Sequence, residues 1–159
     1  MDRIDHVVLN CRDLDVTASW YQRVLGMVRE EFGADHRIAL KFGSQKINLR
    51  QTGAPNWPTG AVDAPGSLDL CFITDSDPHD VLEHLRACGI AVADGPVPRA
   101  GALGAMTSIY FRDPDGNLIE VSNYGGPSPR PSSKGEGEKR PSPRPSPKGE
   151  RAKRKAKRR

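Results

Sequence analysis

Alternation between apolar and polar positions opens the chain. Between residues 4 and 10, Val7 and Leu9 fall on one side of an extended strand and His6, Val8 and Asn10 on the other, as the two-residue period of a strand requires. The pattern returns at 67–74, where Leu68, Leu70 and Phe72 oppose Ser67, Asp69 and Cys71, and at 117–122, where Ile119 and Val121 oppose Leu118, Glu120 and Ser122. Each of the first two strands leads into a helical period. In the first half, Asp13 or Asp15 is placed to cap a helix with the apolar stripe Val16, Trp20 and Val24, and Gly26 supplies a left-handed stop. In the second, Ser76 or Asp77 caps, Pro78 takes the first turn, Val81, Leu82, Leu85 and Cys88 form the stripe, and Gly89 ends it.

Three short strands are predicted after each helix, at 27–32, 37–42 and 46–51, then at 90–93, 106–111 and 117–122. Each half therefore reads βαβββ. Sliding the chain by 63 positions pairs His6 with Asp69 and Leu25-Gly26-Met27 with Cys88-Gly89-Ile90, a faint internal repeat. Asp113-Pro114-Asp115-Gly116-Asn117 marks the last hairpin, where proline presets a turn dihedral and glycine relieves strain at the exit. Residues 52–66, with Pro55, Pro58 and Pro65, read as a linker between modules at about 1–52 and 66–125.

Charge divides the chain at the end of the second module. Residues 127–159 carry 13 Lys/Arg against 3 Asp/Glu, leaving 11 against 17 for residues 1–126, so the body is acidic and the tail strongly basic. A nucleic-acid-binding fold is not indicated, because the basic charge sits where there is almost no apolar side chain to bury. The tail is a duplication, PSPRPSSKGEGEKR at 127–140 followed by PSPRPSPKGERAKR at 141–154, and residues 126–159 are expected to be disordered. Its function is expected to be bland, with at most weak, salt-sensitive contacts to nucleic acid or anionic lipid.

Three cysteines, Cys11, Cys71 and Cys88, form neither an even set nor a C-x-x-C pair, which fits a reducing cytoplasm. No apolar run approaches the ~20 residues needed to cross a bilayer, and no signal peptide is expected.

If the apolar faces of the strands receive the helices, His6, Asp69 and Glu120 all point to the opposite side, where one imidazole and two carboxylates could converge. A lone strand histidine is more often simply hydrogen-bonded. The balance shifts because His6 and Asp69 are repeat-equivalent and Glu120 lies in the otherwise apolar run Leu118-Ile119-Glu120-Val121, where a carboxylate needs a partner. A metal ion would be such a partner.

Ile4-Asp5-His6-Val7-Val8, Trp20-Tyr21 leading to Leu25-Gly26, and Phe111-Arg112-Asp113-Pro114-Asp115-Gly116-Asn117-Leu118-Ile119-Glu120 resemble the vicinal oxygen chelate superfamily, which includes glyoxalases, bleomycin- and fosfomycin-resistance proteins and extradiol dioxygenases. Within it, Gln45-Lys46-Ile47-Asn48-Leu49, Gly95-Pro96-Val97-Pro98-Arg99 and Ser108-Ile109-Tyr110-Phe111 resemble the glyoxalase-domain proteins and the bacterial members named virulence proteins. The resemblance spans about residues 3–124. It implies an α+β fold in which two βαβββ modules form a curved, partly open barrel-like sheet around a central cavity, and a homodimer.

It also implies metal ligation by His6 and Glu120, with Glu120 at the catalytic centre. Asp69 stands where many members have histidine, and Arg50, which stays protonated, stands near the position of a fourth ligand. A four-ligand glyoxalase I site is therefore not expected. His6, Asp69 and Glu120 form a hard set suited to Mn²⁺, Fe²⁺ or Mg²⁺, with Zn²⁺ and Ni²⁺ also compatible. Open coordination positions would accept two neighbouring oxygens of a small substrate.

Arg50, sharing a strand face with Asn48, is placed either to pair an anionic substrate group or to make a rim salt bridge. Residues 95–104 are expected to lack regular structure, acting either as a lid that brings Arg99 to the substrate or as a plain connector. No helix pattern follows them, so they are not a phosphate-binding loop. Trp20 and Tyr21 read as helix-to-sheet packing, and Trp57 as a pocket or dimer contact. His36, His79 and His84 read as surface residues, and no separate general base stands out. The leading expectation is a metal-dependent lyase or isomerase. Its competitors are a metal-free ligand-sequestering module and an extradiol dioxygenase.

Overall fold

The computed structural model describes residues 1, 3–55 and 57–125, so the expected disordered tail lies outside the described residues. Ten elements follow one another: β1 (His6–Cys11), α1 (Leu14–Leu25), β2 (Val28–Phe32), β3 (Arg37–Phe42), β4 (Gln45–Gln51), β5 (Asp69–Ile73), α2 (Pro78–Ala87), β6 (Val92–Gly101), β7 (Gly104–Arg112) and β8 (Leu118–Asn123). They form two four-stranded sheets with the same plan, β1-β4-β3-β2 and β5-β8-β7-β6. In each, the first strand pairs parallel with the last and the other pairings are antiparallel. Neither sheet closes into a barrel.

The helices begin and end where local chemistry dictates. Asp13 caps α1 by accepting from Asp15 N and Val16 N, and Gly26 stops it at φ 66°, a left-handed conformation that a side chain would strain. Asp77 caps α2, accepting from His79 N, with Pro78 in the first turn. The buried face of α1 comprises Thr17, Ala18, Trp20, Tyr21 and Val24. Val16, expected in the stripe, is 55% exposed. It lies a quarter-turn away from the direction that Trp20 and Val24 share with Tyr21, and the small Thr17 and Ala18 fit the close approach instead.

One core joins the modules. Leu9, Leu40, Ile47 and Leu49 of the first sheet and Ile109, Phe111, Ile119 and Val121 of the second bury their side chains with Trp20, Tyr21 and Leu85 of the helices. Trp20 packs on Tyr21 and on Phe111, confirming helix-to-sheet packing, and Phe42 meets Phe72 edge-on with ring centroids 5.3 Å apart. The last hairpin docks back onto α1. Tyr21 OH donates to Asp113 Oδ2 at 3.0 Å, and Asp115 accepts from Arg12 Nη1 at 3.0 Å and from Thr17 Oγ1 at 3.4 Å.

Residues 95–104 do not form an irregular lid or connector. Most of them belong to β6, which runs through residue 101 and pairs Val97 with Ser108, Pro98 with Thr107 and Arg99 with Met106 across β7. Pro96 and Pro98 are tolerated because β6 is an edge strand, where a missing N–H need not break a second ladder, and register shifts near Asp94 absorb the irregularity. The short strand expected at 90–93 is therefore the beginning of a longer one.

Candidate functional site

The β5–β8 register sets Cys71 opposite Glu120 and Asp69 opposite Leu118, while β7–β8 sets Tyr110 opposite Glu120 and Ser108 opposite Ser122. The polar members of these pairs share the sheet face turned away from Ile109, Phe111, Ile119 and Val121. A ribbon of hydrogen bonds crosses that face. Tyr110 OH donates to Glu120 Oε1 at 2.9 Å, Ser122 Oγ donates to the same oxygen at 3.0 Å, and Ser108 and Ser122 hydroxyls lie 2.8 Å apart. Cys71 Sγ is 3.5 Å from Ser122 Oγ.

Burial works to raise the Glu120 carboxyl, but hydrogen bonds from Ser108, Tyr110, Ser122 and Cys71 outweigh it and hold the group below its ordinary value. Glu120 is thus a half-buried, ionised carboxylate. The Cys71 thiol is pushed up, first by burial and further by the charge of Glu120.

His6 lies on β1, opposite Lys46 of β4. Its Nδ1 is 2.8 Å from Asp5 Oδ1, a contact that orients the ring and leaves Nε2 as the available donor atom, and its side chain is 45% exposed. The hydrogen bond with His6 is the main reason the Asp5 carboxyl sits below its usual value. A recess of about 130 Å³ brings His6 beside Leu70, Cys71 and Phe72 of β5, so the seam between β1 and β5 connects the histidine side with the Glu120 side.

The donors suit a divalent cation in kind: an imidazole braced through its second nitrogen, and an ionised carboxylate with one oxygen held by hydroxyls. In spacing they are not gathered by one chain. Among the described residues, only His79, Asp80 and Glu83 bring three potential ligand atoms within 4.8 Å of one another, and these are exposed on α2. Asp69 is exposed at the start of β5.

Arg50 and Asn48 are buried on the first sheet, at 3% and 6% exposure. Arg50 Nη1 meets Asp63 Oδ2 at 2.7 Å and Nη2 donates to Ala54 O at 2.8 Å, so the linker folds over it. Arg50 stands opposite Asn10, four positions along β1 from His6, or about 13 Å at ~3.3 Å per strand residue. It does not share a locus with the histidine. Asn48 Oδ1 and Arg50 Nε are buried with no protein partner. On the same sheet, the Phe32 ring carries Lys46 Nζ at 4.1 Å and the Arg37 guanidinium at 4.9 Å, and Arg37 also lies 5.2 Å from the ring of Trp57. Trp57 lines a cleft of about 490 Å³ with Arg37, Ala54 and Pro55.

Arg99 faces the same ribbon as Glu120. Its Nε donates to Tyr110 OH at 3.2 Å, Nη2 to Asp94 Oδ2 at 3.1 Å and Nη1 to Pro98 O at 3.1 Å. A cleft of about 560 Å³ lies elsewhere, between α1, α2 and β5, and is lined by Met27, Phe42, Phe72 and Val81 among others.

Tyr110, Ser108 and Cys71 were not singled out in the sequence as site residues. Their signal was present, because Ser108 and Tyr110 alternate with the apolar Ile109 and Phe111, but only the register reveals that they meet Ser122 and Glu120. Asp63, hidden in the linker, carries no periodic signal.

Comparison with known proteins agrees with this architecture. Residues 3–121 match the model of the Glyoxalase/Bleomycin resistance protein/Dioxygenase superfamily. The chain is 48% identical over 124 residues to virulence protein STM3117 of Salmonella typhimurium, covering 78% of this chain and 85% of that protein. It is 51% identical over 121 residues to the glyoxalase domain-containing protein RDO1 of Mycosarcoma maydis, covering 76% and 68% respectively. Among solved structures, an integron cassette protein from the mobile metagenome of V. cholerae superposes with a TM-score of 0.76 at 52% identity, covering 78% of this chain and 96% of that one.

Proposed function

The chain belongs to the Glyoxalase/Bleomycin resistance protein/Dioxygenase superfamily, and from that premise we propose that it is a divalent-metal-dependent enzyme with lyase- or isomerase-type chemistry on a small, oxygen-rich substrate. Members of the superfamily commonly use divalent ions. The observation that carries the reading is Glu120: an ionised carboxylate in an apolar strand, with the Tyr110 and Ser122 hydroxyls converging on Oε1, an arrangement that would offer Oε2 to a cation. His6 Nε2 and Asp69 would complete the set. When bound, the ion would act as a Lewis acid on two neighbouring substrate oxygens and stabilise negative charge that develops there.

The chain's own residues do the rest. Asp5 orients the imidazole, Tyr110 and Ser122 orient the carboxylate, and the apolar side chains of Leu70 and Phe72 beside His6 limit water at the seam. Closing the ligand set requires the two faces to approach. We take the working form to be a homodimer, in which a second copy covers the open faces and edges and the exposed Ile73, a state that light scattering on the purified chain would reveal.

A second reading is favoured by one observation: the hydroxyls of Tyr110 and Ser122 already satisfy Glu120 without an ion. In that case the protein sequesters a ligand without metal. Elemental mass spectrometry on the untagged full chain separates the two. About one divalent ion per chain, lost in both His6→Ala and Glu120→Ala, supports the enzyme. No retained ion, and none taken up from Mn²⁺, Fe²⁺, Ni²⁺ or Zn²⁺, transfers the assignment to the sequestering module.

A further inference from the structure

The hydrogen bonds that reach Glu120 have a fixed direction. A guanidinium only donates, so the Tyr110 oxygen accepts from Arg99 Nε; an ionised carboxylate only accepts, so the Tyr110 hydrogen goes to Glu120 Oε1. Arg99 is itself fixed at both ends, by Asp94 through Nη2 and by the Pro98 carbonyl through Nη1, and its guanidinium lies 5.3 Å from the Tyr110 ring centroid. The result is a one-way donor chain, Arg99 to Tyr110 to Glu120, with Asp94 accepting from Arg99 and anchoring its far end, running from the edge strand β6 across β7 to β8. All three nitrogens of Arg99 are engaged within the protein.

We propose that Tyr110, braced by Arg99 and Asp94, is a positioning residue that fixes the rotamer of Glu120 and presents Oε2 as a single ligand oxygen. The inference deepens the metal-enzyme reading above and rests on it. Its physical basis is threefold. A glutamate has three side-chain torsions, and ordering them opposes binding by the lost rotamer freedom. Donors on Oε1 remove that freedom before a cation arrives. A positive charge behind the Tyr110 oxygen polarises the hydroxyl and strengthens its bond to the carboxylate. Arg99 therefore acts through Tyr110.

The test is calorimetric titration of the metal-free full chain with Mn²⁺ and, separately, Zn²⁺, for the wild type, Tyr110→Phe, Arg99→Gln, the double variant and Glu120→Ala. Melting temperatures of the metal-free forms are recorded alongside. Tyr110→Phe is expected to weaken ion binding by roughly 10–100-fold, the usual effect of removing a partner of a ligand. Arg99→Gln should weaken it less, and the double variant should be no weaker than Tyr110→Phe alone, because the two residues form one line. Arg99→Lys, which keeps the charge but not the fork, should recover part of the loss.

The proposal is overturned if Glu120→Ala abolishes binding while Tyr110→Phe leaves affinity unchanged, or if the two losses multiply in the double variant. A lowered melting temperature with unchanged ion affinity also overturns it, reducing Tyr110 to a structural role. If the wild type itself binds neither ion, this inference and the metal reading fall together, and that outcome is distinct from the others.

Discussion

Tyr21 and Asp113 join the two modules: the hydroxyl of an α1 residue donates to Oδ2 of the last hairpin's first aspartate at 3.0 Å, and both side chains are buried. The other oxygen, Oδ1, accepts from Asp115 N and Asn117 N at 2.9 Å each and so shapes the turn itself. Burial first, then the neighbouring Asp113 charge, pushes the Tyr21 phenol far above its ordinary value, so it remains a donor throughout the working pH range. Tyr21→Phe leaves Oδ2 with Asn117 alone and should lower stability by about 1–3 kcal/mol. Urea denaturation checks this, and an unmoved midpoint would refute it.

Two glycines should respond differently to the same substitution. Gly66 has φ +74°, and a Cβ there would sit 2.5 Å from the backbone oxygen of Asp115, whereas Gly26 has φ +66° and open space around it. Gly26→Ala should cost about 1 kcal/mol through the left-handed backbone alone. Gly66→Ala adds a clash with backbone that cannot swing aside, so its thermal midpoint should fall clearly further.

The Asp63–Arg50 contact makes the linker sensitive to acid. The hydrogen bond from Arg50, followed by that from Gly53 N, holds the Asp63 carboxyl below its ordinary value of 3.8. A folded-state value depressed in this way contributes stability that is complete above 3.8 and disappears as pH falls through the lowered value. Asp63→Asn should therefore melt earlier than the wild type at neutral pH, with the gap closing as the solution is acidified below that range. A gap that is constant with pH would disprove the linkage.

Cys71 offers a reporter for the face bearing Glu120. It is exposed, while Cys11 is buried and its thiol is pushed up to about 11, mainly by desolvation. Iodoacetamide should modify Cys71 and leave Cys11 intact, at a rate that rises with pH because the Cys71 thiol is itself raised. Saturating divalent ion should slow alkylation of Cys71 but not of Cys88, which lies at the C-terminal end of α2. Peptide mass spectrometry reads both, and equal protection of the two cysteines would contradict this placement.

The sequence discloses most of the fold because its signals are local and periodic. Strand β3 falls on the expected residues, the Asp77 carboxylate and the left-handed freedom of Gly26 bound the helices as expected, and the faces of β5 and β8 follow from alternation. Only the start of β6 is legible, at 90–93, because Gly95, Pro96 and Pro98 break the local rules for a strand and long-range pairing with β7 holds the rest extended. The site divides in the same way. Which face His6, Asp69 and Glu120 occupy follows from strand period, but which hydroxyls meet Glu120 depends on the β7–β8 register, and the closure of the linker on Arg50 depends on a tertiary ion pair. Neither leaves a mark in a single sequence.

The two prolines of β6 also bear on how the molecule behaves in a crowded solution. The outermost strand offers no amide at either position, and the charged Asp94 and Arg99 lie within the same stretch. An intruding strand seeking to extend the ladder would find an interrupted row of amides and would have to desolvate an ion pair. Open sheets invite runaway stacking into fibres. Here the strand that carries Arg99 toward Tyr110 also works against templated growth at that rim.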